Sequence, residues 1–406
     1  MTRFALLVLG AALLMTVDAA AKGPLAPRTV FGLVSQNRQT TVAELNALTL
    51  KPVSKSVLLG ASARYLGRSP GGGGRGAFVT GTRGDRMVFV DLDKMKREGA
   101  VALPCAITDA ITWETADRLV TTCGGSASSV LVVNPVTRKL RSRTPLRGSL
   151  VEMQATGGVL VGLLTPLDGI GPARLVVASS SGRVRTVALP GVEAGTEVLD
   201  KETYHVRSER PGLAVDRNGR RAAVVPASGP VVEIDLARLD VVAHALLART
   251  PAAVSKQVDG TVRNAVWTWS NTIAVSGADG VPGGTDAWHA VPASVIDVDR
   301  WTSRTLDVAA TVTTNGWSLL AWGSTWDGLT QTVTGHGLTG YTPDGNRRFH
   351  LFESEPVYVS AFVGSYAYVS SENSTRFKIV DVETGKVIGD VRMAKPTRLA
   401  AARPIY

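Results

Sequence analysis

Units of short apolar strands recur along the 406 residues at a nearly fixed interval, glycines are many, and helical periodicity is almost absent. Those three observations predict an all-β fold, a single-domain β-propeller of about eight four-stranded blades. The recurrence is anchored on the acidic or small polar residue that ends the third strand of each unit. The anchors are AELNALTLK at Asn46, VFVDLDKMK at Asp91, LVVNPVTRK at Asn134, LVVASSSGR at Ala178, VEIDLARLD at Asp235, IDVDRWTSR at Asp299, TGYTPDGNR at Thr342 and FKIVDVETG at Asp381. Successive anchors are 45, 43, 44, 57, 64, 43 and 39 residues apart. One blade takes about 40 to 45 residues, so the two long intervals mark insertions.

The first unit shows three strands, TVFGLVS, TVAELNA and PVSKSVLL, and lacks an innermost one, while TRLAAAR (397–403) is left over at the other end. The C-terminal strand is therefore expected to complete the first blade and close the ring, which removes sheet edges that would template aggregation. GLAVDRNGRRAAVVPA (212–227) carries the two strands that precede an anchored pair, and its Asn218-Gly219 supplies the positive φ angles of a tight hairpin turn. LARLDVVAHALL (236–247) also has the spacing of an amphipathic helix, but its register in the repeat makes it a turn and a fourth strand. In the last unit β-formers alternate through Phe377, Ile379 and Val380, Glu383-Thr384-Gly385 turns the chain, and Lys386 to Val391 returns apolar on alternate residues.

AYVSSENSTRFKIVDVETGKVIGDV (367–391) resembles the repeat of the YVTN-type propellers, in which a strand AYVTN precedes a strand of the form VSVID and then T-x-x-K-V. GAFVTGTRGDRMVFVDLDKMKREGAVAL (76–103) is a weaker second copy. Members of that family commonly have seven blades, which makes seven the alternative count. The family shares no catalytic set, so the resemblance implies a fold and constrains function only loosely.

The start of the chain, MTRFALLVLGAALLMTVDAAAKG, has a basic Arg3, an apolar run from Phe4 to Val17 and small residues at Ala19-Ala20-Ala21. This pattern predicts a signal peptide over residues 1–21, a propeller domain over 22–406 and a secreted or extracytoplasmic protein. The apolar run is about fourteen residues, short of a membrane span, and no cysteine follows it to carry a lipid anchor. Cys105 and Cys123 are the two cysteines, and they flank a predicted hairpin whose turn falls near Glu114-Thr115-Ala116. That symmetry sets them opposite each other on adjacent strands, so a disulfide is expected in an oxidising compartment, with a pair of buried thiols as the alternative. Zinc would need further ligands, and the sequence offers these two cysteines no partners. The formal charge is +10, but the basic residues are spread over many turns, with no dense run or helix suited to a nucleic acid. A solvated surface accounts for the charge; an acidic envelope polymer or anionic surface is the other partner it would suit.

In a propeller, the loops joining strands one to two and three to four of each blade lie on one face, and the remaining loops lie on the other. The first group is short throughout, SPGGGGRG (69–76) excepted, and that stretch lacks the lysine and helix of a phosphate loop. The long insertions, 190–211, 247–263, 278–293 and 324–337, all belong to the second group. Loops beyond about twelve residues tend to be functional or disordered, and crowding on one face favours a binding role.

Their contents suit recognition: Glu202, Tyr204, His205 and Arg207 fall in one insertion, Asp286, Trp288 and His289 in another, and Trp326, Asp327 and His336 in a third. Trp288 and Trp326 are expected in loops, as aromatic anchors, whereas Trp267, Trp269, Trp317 and Trp322 are placed on strands, as core. The expected function is a secreted, non-enzymatic binding or scaffold module, a monomer, for a protein, glycan or envelope polymer. The alternative is a lactonase- or lyase-type propeller enzyme with a site at the ring's centre, its candidates His205, His289 and Glu202 brought together by the loops. No cofactor is expected, while a bound metal ion stays open. The quinone-dependent dehydrogenases fit less well, because Ile388-Gly389 stands where their blades carry a tryptophan.

Overall fold

The computed structural model describes residues 25–69, 74–124, 128–200, 205–246, 260–280, 288–327, 332–370 and 375–401; the predicted signal peptide lies outside them. Among the described residues every regular element is a β-strand, and the sheets are arranged as a β-propeller. Six antiparallel sheets hold four strands each: residues 64–102, 107–145, 212–244, 311–351 and 358–392, and 29–60 joined by 397–401. A seventh sheet holds nine strands. Its two ends, 149–200 and 260–305, are four-strand antiparallel runs like the others, and the strand His205–Arg210 lies between them. The ambiguous stretch after Leu236 contains the strand Val241–His244.

Burial explains why the third strands were the legible ones. Ser129–Asn134, buried along its whole length, reads as a continuous apolar run, whereas its outer neighbour Lys139–Pro145 is largely exposed and reads as polar. Apolar clusters fill the spaces between successive sheets: Leu163, Leu175 and Val177 meet Leu213, Val224 and Ile234, and Ala77, Val79 and Phe89 meet Leu119, Leu131 and Val133. Each sheet is thus half of two cores.

The repeat anchor has a structural cause. Asn46, Asp91, Asn134, Asp235, Asp297 and Asp381 each accept, through one side-chain oxygen, the backbone N–H groups two and three residues further on. Such a turn satisfies N–H groups that the ladder leaves free. The same bonds, from the Lys94 and Arg238 N–H groups first, hold the Asp91 and Asp235 carboxyls below the usual carboxylate range. In the sixth unit the anchor is Asp297 rather than Asp299, and in the fourth it is Ser179, whose hydroxyl accepts from the Arg183 N–H, rather than Ala178. Four residues after each of the six Asx anchors the backbone turns left-handed, at Leu50, Met95, Arg138, Leu239, Trp301 and Gly385. Five of those six are not glycine, although a left-handed side-chain residue costs about 1 kcal/mol.

The ring closes as expected. Thr397–Ala401 pairs antiparallel with Thr29–Gln36, from Val34 opposite Thr397 to Val30 opposite Ala401. Across the same seam Val30, Leu45 and Leu399 pack on Tyr368, Phe377 and Ile379, and the buried Tyr368 hydroxyl donates to the Ala47 carbonyl at 2.9 Å. Removing residues 396–406 is predicted to abolish the cooperative melt followed by circular dichroism, and Tyr368→Phe to lower stability by about 1 kcal/mol, since it strands a buried carbonyl. A truncated chain melting like the full one would contradict the seam.

Cys105 and Cys123 form a disulfide with their Cα atoms 5.7 Å apart. Cys123 ends the strand Arg118–Cys123 opposite Ile107, and Cys105 precedes that partner strand by two residues. The bridge closes a short loop, so reduction should lower stability by about 3 kcal/mol in the chain-entropy account. Thiol labelling of denatured, unreduced protein should find no free thiol.

Candidate functional site

The insertions do not stand out as loops. Where described, those at 190–211, 278–293 and 324–337 continue the ladders as long strand pairs, because an extended strand pair satisfies backbone groups that a long loop would leave to solvent; of the fourth, residues 247–259 lie outside the described residues. Val184–Asp200 runs seventeen residues, pairs with Gly169–Ser179 through an irregularity between Pro172 and Arg174, and returns as His205–Arg210. That returning strand then pairs in parallel with the start of Gly260–Trp267: Ser208 opposite Gly260, Glu209 opposite Thr261, Arg210 opposite Val262. The next two strands, Thr272–Gly280 and Trp288–Asp297, extend the same sheet. Parallel pairing makes one platform of the insertions near 200 and 280, passing over the sheet 212–244 between them.

The join is polar and closely packed. The Thr261 hydroxyl donates to the Glu209 carboxylate at 2.6 Å, Arg207 pairs with the other Glu209 oxygen at 3.2 Å, and the Thr196 and Ser208 hydroxyls share a hydrogen bond. Gly260 is needed here, because a Cβ would run into the Ser208 backbone. Behind it lies a fully buried ion pair, in which Arg263 donates to Asp279 at 2.7 Å and to the carbonyls of Val262 and Ala278. Under the platform a cleft of about 300 Å³ is lined by Glu193, Arg207, Glu209, Pro226, Ser228 and Thr261. The outer ends of the hairpins expose apolar side chains, Val198, Leu199 and Val206 on one and Val333 on another, with exposed Leu167 two residues before Gly169, which pairs with Thr196 of the first.

The predicted site residues distribute as follows. Glu202, Tyr204 and Asp286 lie outside the described residues. Trp288 and Trp326, expected in loops, are on strands: Trp288 opens Trp288–Asp297 opposite Gly280, and Trp326 lies opposite Val333 on Leu319–Asp327. Asp327 ends that strand, and His205 begins His205–Arg210. Arg207 lines the cleft, and His289 is exposed, its backbone opposite Asp279. His205 and His289 are not brought together, because two strands stand between theirs, roughly 14 Å at the usual strand spacing. Among the described residues no group of three His, Cys, Asp or Glu side chains could hold a metal ion.

Two features escaped the sequence reading. Trp269 and Trp317 lie in turns between strands on the short-loop side, rather than on strands; both are half-buried, and their rings meet edge-on at 5.0 Å with the Arg217 guanidinium over Trp269. Adjacent tight turns bring them together, which single-strand patterning does not reveal. A polar cavity of about 490 Å³ beside the sheet 311–351 gathers His336, His350, Asp307, Tyr341 and Arg347. Within it the Tyr341 hydroxyl donates to Asp307 at 2.6 Å and, with the Arg347 charge, holds that carboxyl below the usual range.

No protein-family model matches the chain, and no curated protein does. Solved structures do. Dihydro-heme d1 dehydrogenase NirN in complex with DHE superposes with a TM-score of 0.60 at 12% identity, over 94% of this chain and 77% of that one. Apo AztD from Citrobacter koseri gives a TM-score of 0.53 at 12% identity, over 92% of this chain and 98% of that one. Likeness at that identity establishes the β-propeller fold alone.

The buried pair makes the platform's integrity testable. Asp279→Asn leaves the Arg263 charge without its carboxylate and should cost roughly 3 kcal/mol in denaturant unfolding, and replacing both by Met and Leu should recover most of that. Equal stability of Asp279→Asn and the unaltered chain would contradict the buried placement.

Proposed function

We propose that the chain is a secreted, non-enzymatic binding or scaffold propeller that holds a macromolecule, a protein, glycan or envelope polymer, against the face built by its insertions. The observation that carries this reading is the nine-stranded sheet, in which the insertion hairpins near 200 and 280 are hydrogen-bonded into one preformed platform, while the 324–337 hairpin extends the separate sheet 311–351. A rigid, preorganised surface lowers the ordering cost of association. Apolar residues at the hairpin ends beside charged Arg207 and Glu209 supply anchor and rim. Trp288, Trp326, His205 and His289 belong to the same hairpins by chain position, and Glu202, Tyr204, Asp286 and Asp327 are assigned to the surface with them.

Export is part of the proposal, supported by the pattern of residues 1–21 and by a disulfide suited to an oxidising compartment. So is a ring of eight blades of YVTN-like repeats, in which the nine-stranded sheet counts as two blades joined through His205–Arg210; apolar clusters between successive four-strand runs favour that count. The separation of His205 from His289 weighs against the enzyme alternative built on that pair.

The test is photo-crosslinking in cells of the natural host, with benzoylphenylalanine placed at Val206 or Val333 and, on the opposite face, at Val136, all three exposed. Crosslinks to one macromolecule from the first two positions and none from the third are expected. Against that crosslinked ligand, Trp288→Ala or Trp326→Ala should weaken affinity about thirtyfold, the loss of an aromatic anchor of about 2 kcal/mol. Equal crosslinking from Val136 would place the site on the wrong face.

A further inference from the structure

The centre of the ring holds a cavity that the proposed binding face does not use. Its volume is about 500 Å³, and Leu66, Thr108, Ile111, Leu150, Glu152 and Met153 are among its walls. They come from Arg64–Arg68, Ile107–Thr115 and Ser149–Thr156, each the first strand of its run and each with one edge unpaired in its sheet. Free strand edges present backbone N–H and C=O groups to whatever enters. The size is that of a small-molecule site.

Among the described side chains lining this cavity, Glu152 is the single ionisable one. Burial pushes its carboxyl above the usual range, and the charge of Arg210 opposes that only in part; Arg210 is solvent-exposed, which screens it. Two residues further along the same face of the strand, Gln154 is fully engaged: its amide donates to the carbonyls of Leu213 and Ala265, and its oxygen accepts from the Val215 N–H at 3.0 Å. Gln154 thereby ties three successive inner strands together and fixes the strand that carries Glu152. The site so formed sets one positioned carboxylate among aliphatic side chains and the polar backbone edges of three strands, the complement of a small cation with an N–H-donating head and an apolar body.

We propose that the central cavity binds small organic cations, primary alkyl- or arylammonium ions, with Glu152 as counter-charge and Leu66, Ile111 and Leu150 around the apolar part. The proposal is independent of the insertion face. The probe is hexylammonium, with hexanol as the uncharged body of the same shape, titrated calorimetrically into the full-length protein. Hexylammonium should bind saturably at one site per chain and at least tenfold tighter than hexanol. Glu152→Gln should erase that preference, and Ala155→Trp, which fills the lumen from an exposed position in its wall, should abolish binding while the melting temperature holds. Absence of saturable hexylammonium binding, equal affinity for hexanol, or an undiminished preference in folded Glu152→Gln would each overturn the assignment.

Discussion

A ring of stacked sheets is stable only if the last sheet meets the first, because each sheet buries both faces and needs a neighbour on either side. Here that condition is met by one five-residue strand, Thr397–Ala401, hydrogen-bonded to Thr29–Gln36 and backed by Tyr368 and Phe377 across the seam. Without it Val30, Leu45 and the first sheet's inner edge would face water, and so would the apolar side of the last sheet. At about 25 cal/mol per Å² of apolar surface, exposing one such interface is comparable to the whole stability of an ordinary domain. The inner strands keep their places around the central cavity only while that closure holds.

The insertions obey the backbone's own demand for partners. A long excursion from a blade can solvate its N–H and C=O groups or pair them, and here the excursion near residue 200 pairs first with its own return strand and then, in parallel, with Gly260–Val262. Placing Arg263 and Asp279 behind that join, wholly buried, fixes its register, since a slip would bring an unpaired charge into the interior. Two blades' worth of strands become one continuous surface, with exposed apolar residues at its margins. Binding residues are often on loops carried by a rigid scaffold; in this chain the paired scaffold itself extends into the insertions.

Much of the architecture was legible because the third strands are buried on both faces and end in Asp or Asn. The period, the closing strand, the disulfide hairpin and the sheet reading of 236–247 all follow from that signal and from local turn chemistry. Its limits are physical too. The left-handed turn position is filled by Leu, Met, Arg or Trp in five of the six Asx turns and by Gly in one, so a search for glycine misses it, and Asp299 and Ala178 were chosen as anchors where Asp297 and Ser179 make the turn. Loop assignments for Trp288 and Trp326 failed because Gly- and Asp-rich composition does not reveal that Trp288 pairs with Gly280 and Trp326 with Val333. The parallel pair at Ser208 and Gly260 has no local signature at all: its residues are far apart in the chain, and the turn residues that announce an antiparallel hairpin are absent. Trp269 and Trp317 were assigned to core strands for the related reason that contacts between neighbouring turns leave no periodicity.

The account rests on the insertions being built structure, continuous with the ring, and amide hydrogen exchange measures that directly. Residues 195–198, 206–210 and 260–263 should exchange slowly, with protection within about tenfold of the inner strands of the sheet 212–244, since their N–H groups lie in the paired ladder. Exchange of those segments at the rate of free loops, with the ring itself still protected, would show the platform to be unformed in solution and would contradict the claim that this face is preorganised for binding.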